Sequence, residues 1–248
     1  MSKSVKARSS KCNGRRIADI FRDEQDQRLK EMLYPEPTTQ WPDGCRGSRC
    51  PWLVFVGPSP GGKNATNEEA DPRWNSSFRD PMTSWSLGFK ASLEILLETL
   101  LNRSVKDGAD RLFAVFNFDS VQCSESWRVP EQNMKNGAKG VVDLLEATRP
   151  RLIVPMDKSC FYLLKTILSA SGYHASTDEP FSVKIPIYTS PKIHRQLFGF
   201  RILGNGPLRG SVVIKSPQHP ARIFREDYAM ACAKQIRKLL ENLCTDLA

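Results

Sequence analysis

Four short, largely apolar runs constrain the fold of this chain more than any other feature. They are Trp52–Val56, Leu112–Phe116, Leu152–Pro155 and Val212–Lys215. Runs of this length without polar alternation are typical of strands that are buried on both faces. Segments with helical apolar spacing lie before, between and after them, over residues 17–34, 87–101, 141–147, 159–170 and 227–243. Strands that alternate with helices favour a mainly parallel sheet covered by helices on both sides.

The sequence therefore predicts a three-layer α/β/α fold with a central, mainly parallel sheet of four to five strands. Val183–Tyr188 is a candidate for a further strand, and the proline-rich segment Pro35–Pro51 is predicted to be a loop. The 248 residues suffice for one sizeable core. We expect residues 1–16, which are basic and lack acids, to form a disordered tail, and residues 17–248 to form a single domain.

The net charge of +9 favours a polyanionic partner, and DNA is the partner that we expect. From Phe181 to Arg225 the chain has no Asp or Glu, which favours a face that meets phosphates; a solvated basic surface is the alternative. No apolar run is long enough to cross a membrane, and no secretion signal is evident. We expect a monomer in the bacterial cytoplasm or on the nucleoid. The seven cysteines are then expected to be reduced thiols.

Ligands of parallel α/β sheets bind at the carboxyl ends of the strands, so the segments that follow the four runs are the informative ones. The first of these segments, Gly57–Lys63, partly matches a phosphate-binding P-loop through Gly57, Gly62 and Lys63. Asn64 lacks the hydroxyl that such a loop uses to hold magnesium, and two prolines remove backbone donors. A nucleotide-binding P-loop is therefore the less favoured interpretation.

Taken in order, the strand-end motifs resemble those of the uracil-DNA glycosylase superfamily. Gly57-Pro58-Ser59-Pro60-Gly61 follows the first run, Asn117 ends the second, and Ser216-Pro217-Gln218-His219-Pro220 follows the last. The resemblance spans about residues 53–243 and implies a DNA glycosylase. Such an enzyme flips a pyrimidine out of the helix and hydrolyses its bond to the sugar, leaving an abasic site.

The resemblance also implies roles for single residues. Asn117 would read the pyrimidine edge, and His219 would stabilise the negative charge on the departing base. Otherwise, Asn117 is a strand-end turn residue and His219 a surface residue. Phe78, or alternatively Trp74, would stack on the flipped base, which Gly57, Pro58, Pro60 and Gly61 would also contact. The residues expected to contact DNA are Lys63, Lys215, Ser216, Arg222, Ile223 and Arg225.

Ser59 departs from the family pattern, because many members have Asp or Asn there to position the attacking water. Ser59 can orient water but is a poor base; Glu68, Glu69 and Asp71 are candidates to replace the acid. The departure keeps open an alternative function, that of an inactive DNA-binding module on the same fold.

Gly61 and Gly62 leave open the wall that a tyrosine closes in the strictly uracil-specific branch. A base with a C5 substituent is therefore an expected substrate, beside uracil. Hypermodified cytosine of phage DNA would suit a role in anti-phage defence.

One branch of the superfamily carries an iron–sulfur cluster on four cysteines. Cys45, Cys50, Cys123 and Cys160 follow that order loosely, but their spacing is wrong at every step, and cluster ligation depends on tight spacing. No second close cysteine pair accompanies Cys45 and Cys50 to complete a zinc site. We therefore expect neither a cofactor nor a metal.

Overall fold

The computed structural model describes residues 16–31, 45–59, 87–119, 129–176, 181–183, 195–217 and 226–244. These residues form five helices: α1 (Ile17–Glu31), α2 (Leu87–Leu101), α3 (Glu131–Thr148), α4 (Lys158–Ala170) and α5 (Glu226–Leu243). The strands are β1 (Arg46–Gly47), β2 (Leu53–Gly57), β3 (Phe113–Asn117), β4 (Leu152–Pro155), β5 (His174–Ala175), β6 (Phe181–Val183), β7 (Arg195–Leu197), β8 (Gly199–Leu203) and β9 (Val212–Ile214). None of the described helices is both long enough and apolar enough to cross a membrane.

The main sheet has seven strands in the order β1-β3-β2-β4-β9-β8-β5. Its four central strands, β3, β2, β4 and β9, are parallel and correspond to the four apolar runs, so this part of the α/β prediction is confirmed. The predicted width of four to five strands is wrong, because three further strands, joined through antiparallel pairings, extend the edges. Two of them, β1 and β5, have only two residues each, which is too short for an apolar pattern to reveal.

Side chains from alternate positions of each central strand enter different clusters. In β2, Leu53 and Phe55 join one cluster, while Val54 and Val56 join the other. The first cluster contains residues of α1, α2 and α5, and the second contains residues of α3 and α4. Helices therefore cover both faces of the central strands, which explains why those strands read as continuous apolar runs.

The bounds of α2, α4 and α5 agree with the sequence pattern to within one residue, α1 begins as predicted with residues 32–34 outside the described residues, and α3 differs. This helix begins at Glu131, ten residues before the predicted start at Val141. Its first three turns bury only Met134 and Ala138 and contain two glycines, so the apolar stripe there is too sparse to indicate a helix. The candidate strand over residues 183–188 is described only at Val183, which ends β6 in a separate two-stranded sheet with β7; residues 184–188 lie outside the described residues.

Side chains of α1 fasten the amino ends of the strands. Glu24 accepts hydrogen bonds from the Arg151 guanidinium, with Nε at 3.0 Å, and from the Trp52 indole at 3.1 Å. Arg28 donates to three backbone carbonyls, those of Pro51 at 2.7 Å, Thr148 at 3.2 Å and Arg149 at 2.5 Å. The second and third of these carbonyls end α3, so Arg28 satisfies acceptors that the helix leaves free.

Candidate functional site

The four parallel strands bring their carboxyl ends to one edge of the sheet, which we call the carboxyl edge. Gly57 of β2 lies opposite Asn117 of β3, and Val56 lies opposite Pro155 of β4. Beyond β9, the Ser216 amide donates to the Pro155 carbonyl at 2.9 Å. Segments selected from the sequence because they follow strands are therefore neighbours in space, as the parallel arrangement requires.

Gly57 and Asn117 are in direct contact at the centre of this edge. A Cβ atom added at Gly57 would collide with Oδ1 of Asn117 and lie 3.3 Å from Sδ of Met156. The Asn117 carboxamide thus occupies the space beside Gly57 that a side chain at position 57 would need. Glycine at position 57 leaves this space free, so the Asn117 carboxamide can lie across the end of β2.

The two chains continue side by side beyond their strands. The amide of Phe118 donates to the Gly57 carbonyl at 3.0 Å, and the amide of Asp119 donates to the Pro58 carbonyl at 2.9 Å. Pro58 is buried, whereas Ser59 is partly exposed. This backbone pairing places the Pro58-Ser59 turn next to the Asn117–Asp119 segment, in a fixed register.

Among the described residues, the hydroxyl oxygen of Ser59 is buried without a hydrogen-bond partner. A buried hydroxyl normally has a partner, because its desolvation is otherwise uncompensated. An orphaned hydroxyl at the end of a central strand marks a position where a water molecule or a ligand atom can be held. Ser59 is also the residue for which the sequence predicts a role in orienting water.

Asp119 is an acid at this edge to which the sequence analysis gave no role. Its side chain is 8% exposed, and Nδ2 of Asn133 in α3 donates to its carboxylate at 3.0 Å. Carboxylates are rarely this buried unless they are paired, and the position of Asp119 beyond the end of β3 makes it a further candidate for the site. The available signal was its position two residues after Asn117, at the end of a buried strand.

Helix α3 fixes this segment from the second face of the sheet. A Cβ atom at Gly137 would overlap the Phe118 carbonyl oxygen and lie 2.8 Å from the carbonyl carbon. The helix backbone therefore packs directly against the residue between Asn117 and Asp119. Since Asn133 lies one turn earlier in the same helix, α3 holds both the backbone and the carboxylate of the segment.

The residues after β9 occupy the other side of the carboxyl edge. Ser216 is 4% exposed, and the Lys215 amide donates to the Phe198 carbonyl at 2.8 Å. The Lys215 ammonium lies 5.6 Å from the centre of the Phe198 ring, so one of the predicted DNA contacts packs on an aromatic face. Arg209, from the same acid-free stretch, precedes β9 at the opposite edge, so the stretch does not form one continuous face.

Several predicted site residues lie outside the described residues. They are Pro60, Gly61, Lys63, Glu68, Glu69, Asp71, Trp74, Phe78, His219, Arg222, Ile223 and Arg225. The structure therefore brings together Gly57, Pro58, Ser59 and Asn117, with Lys215 and Ser216 along the same edge. The predicted functions of the others remain predictions.

Three of the four cysteines considered as cluster ligands are described. Cys45 and Cys160 are buried in the apolar cluster with α3 and α4, and burial raises the pKa of the Cys160 thiol well above its ordinary value. The Cys50 thiol donates to the Glu31 carboxylate at 3.1 Å. Within the described part of the chain, no three His, Cys, Asp or Glu side chains are grouped so that they could hold a metal ion. Cys123 lies outside it.

These contacts place the partly exposed Asn117 carboxamide on the segment that pairs with the Pro58-Ser59 turn, where the Ser59 hydroxyl can hold a water molecule or a ligand atom. Neither a protein-family model nor a curated protein sequence matches this chain at a significant level.

Proposed function

We propose that the chain is a DNA glycosylase that removes a pyrimidine base from DNA on a three-layer, uracil-DNA-glycosylase-like fold. The observation that carries the proposal is the contact between Gly57 and Asn117 at the ends of adjacent parallel strands, beside the orphaned Ser59 hydroxyl. The sequence motifs assign base reading to Asn117, water positioning to Ser59 and contact with the base to Gly57. Their convergence supports a common site.

Asn117 is well suited to read a base in this setting. Its carboxamide both donates and accepts, so it can pair with the edge of a pyrimidine. Its contact with Gly57 restricts the side chain before a base arrives, and such preorganisation lowers the entropy cost of binding. Replacement by Ala would remove the pairing while leaving space at the strand end.

Water activation is assigned to Ser59 together with Asp119. The Ser59 hydroxyl has no partner among the described residues and can accept or donate a hydrogen bond to water. Asp119 follows on the neighbouring segment and supplies a buried carboxylate that Asn133 orients. Because the transition state of glycosidic cleavage resembles a cation, a carboxylate nearby also stabilises it electrostatically. This pairing offers a substitute for the acid that the first motif lacks.

The substrate proposed is uracil or a pyrimidine with a C5 substituent, including hypermodified cytosine of phage DNA as the substrate of a defence enzyme. It rests on Gly61 and Gly62, whose missing side chains leave no group that could reject a substituent. An inactive DNA-binding module is the second candidate, and Ser59 in the place of an acid is the feature that favours it.

The deciding experiment offers uracil, 5-hydroxymethyluracil and hypermodified cytosine in otherwise identical oligonucleotides, followed by alkali to cut abasic sites. We expect cleavage with at least one of these bases. His219→Ala should lower the rate about 10²–10³-fold with little change in DNA affinity, as for the loss of one donor to a developing negative charge. His174→Ala is the matched control, since His174 is exposed on β5. Tight DNA binding without any base release would support the inactive module instead.

The DNA partner is tested separately through the salt dependence of binding. Each phosphate contact should add about −0.9 to the slope of log affinity against log salt for duplex DNA. Lys215→Gln should weaken binding to all sequences alike and reduce the slope by about one such contact. Affinity that does not change with salt would contradict the proposed partner.

A further inference from the structure

A cleft of about 390 Å³ opens at the amino edge of the sheet, opposite the candidate active site. Its walls are α1, the end of α3 and the loop that precedes β9. Four arginines and two glutamates line it: Arg28, Arg149, Arg151, Arg209, Glu24 and Glu31. The lining therefore has a surplus of two positive charges. Its volume lies within the range of about 300–1,000 Å³ that is usual for small-ligand sites.

Both glutamates already have partners. Glu24 accepts from Arg151 and from the Trp52 indole. Glu31 accepts from the Gln27 amide and from the Cys50 thiol, each at 3.1 Å. Neither carboxylate forms an ion pair with Arg149 or Arg209. The two carboxylates therefore bind side chains in and around the walls of the cleft, and the lining keeps its surplus of two positive charges.

Two of the arginines are also occupied by the protein itself. Arg28 donates to the carbonyls at the end of α3, and Arg151 donates to Glu24 and to the Gly210 carbonyl at 3.1 Å. By contrast, Arg149 and Arg209 are exposed, and within the described part of the chain neither guanidinium has a hydrogen bond or an ion pair.

The backbone of Arg149 is unusual for its residue type. It ends α3 in the left-handed conformation, with φ 48° and ψ 54°, where glycine is the residue without a steric cost. The Arg28 guanidinium binds the Arg149 carbonyl and holds this conformation. A long cationic side chain is thus placed at the rim of the cleft by a left-handed backbone conformation that is unfavourable for arginine. Such strain is characteristic of ligand-binding positions.

We propose that this cleft binds a small anion that carries two or more phosphate groups, held by Arg149 and Arg209. A guanidinium offers a planar fork of donors that matches phosphate oxygens in a bidentate manner. Pro150 and Pro207 stiffen the rims beside the two arginines. A small ligand fits better than a nucleic-acid strand, because the site is a concave cleft of limited volume. The proposal does not depend on the glycosylase activity.

The test titrates inorganic pyrophosphate into the full-length protein at low salt and follows the heat of binding. We expect saturable binding at one site, weakened about tenfold or more in the double variant Arg149→Gly, Arg209→Gln. Glycine at position 149 suits the left-handed backbone, so the variant should fold at least as well as the parent, and its thermal midpoint verifies this. Arg111→Gln is the matched control, since Arg111 is exposed and does not line the cleft.

Binding that the double variant retains in full, or that Arg111→Gln weakens equally, would overturn the proposal. A competition arm separates the two sources of phosphate. A short unmodified oligonucleotide at equal phosphate concentration should leave pyrophosphate bound in the cleft, and efficient displacement would overturn the assignment to a small ligand.

Discussion

The amino and carboxyl edges of the same four strands are built in opposite ways. At the amino edge, long side chains of α1 reach across the strand starts and end in fully paired groups, as Glu24 does with Arg151 and Trp52. At the carboxyl edge, the strands continue into backbone-paired turns, and small residues allow close approach: Gly57 to Asn117 and Gly137 to Phe118. Among the described residues, the carboxyl edge also contains the orphaned Ser59 hydroxyl.

The difference separates the contacts of α1 that stabilise the fold from the contacts that position the Asn117 segment. A sequence that specifies one structure satisfies its buried polar groups, and departures from this rule concentrate where a protein has a function. The paired groups of α1 therefore account for stability, whereas the close packing around Asn117 accounts for the positioning of one carboxamide. Substitutions at the two edges should consequently affect stability and activity in different proportions.

Gly137→Ala is expected to have the largest effect. The added methyl group would overlap the Phe118 carbonyl, which is backbone and cannot rotate away, so α3 or the Asn117–Asp119 segment must shift. Overpacking of this kind costs about 3 kcal/mol at its upper end. We expect a loss of that size in the free energy of unfolding, measured by urea titration, together with loss of base release.

Gly140→Ala in the same helix is the matched control for Gly137→Ala. A Cβ atom at Gly140 meets nothing within 4 Å, so the substitution only improves helix propensity. Gly140→Ala should stabilise the protein by about 0.5–1 kcal/mol. If both substitutions destabilise it alike, the contact between α3 and Phe118 is not what holds the segment.

Glu24→Ala tests the amino edge and ranks second. It removes the acceptor of two groups and leaves the partly buried Arg151 guanidinium without its carboxylate. Hydrogen bonds to charged groups contribute about 1.5–3 kcal/mol, so we expect a loss of about 2 kcal/mol in the free energy of unfolding.

Activity below the melting transition should be retained in Glu24→Ala, because the carboxyl edge is not touched. Glu131→Ala, which breaks an exposed ion pair with Lys135, should change stability little. Selective loss of base release in Glu24→Ala, with unfolding unchanged, would contradict the division between the edges.

The same division explains how much the sequence could predict. The carboxyl edge follows from local signals, because each apolar run ends in a recognisable turn or polar residue such as Gly57 or Asn117. The amino-edge network joins Glu24 to Arg151 across 127 positions, and no short pattern encodes that pairing. Asp119 was missed for a related reason: its partner, Asn133, lies in a helical segment whose sparse apolar pattern did not predict a helix.

Gly57→Ala should have a smaller effect on stability and a larger relative effect on function. The new methyl group meets the end of the Asn117 side chain and the Met156 sulfur, both of which can move aside. We expect a cost of about 1–2 kcal/mol, at the low end for overpacking. Base release should fall much more than global stability, because the Asn117 carboxamide must leave its position. An unchanged rate constant in single-turnover assays would show that this position is not needed.

Ser59→Ala has the smallest expected effect on stability. It is also the substitution for which the effects on stability and on base release should differ most. The Ser59 hydroxyl has no partner among the described residues, so its removal sacrifices no hydrogen bond to that part of the protein. Burial of an unsatisfied polar group is unfavourable, and its replacement by a methyl group should raise the free energy of unfolding by at most about 1 kcal/mol. If the hydroxyl holds the attacking water, single-turnover base release should nevertheless slow while DNA affinity stays unchanged. Ser48→Ala is the comparison at a buried serine near the amino end of β3, because the Ser48 hydroxyl accepts from the Cys50 amide at 3.1 Å and its loss should destabilise the protein. If Ser59→Ala is more stable than the parent and releases the base at the parent rate, the hydroxyl contributes neither to stability nor to catalysis. Asp119 would then be the group at this edge that orients water.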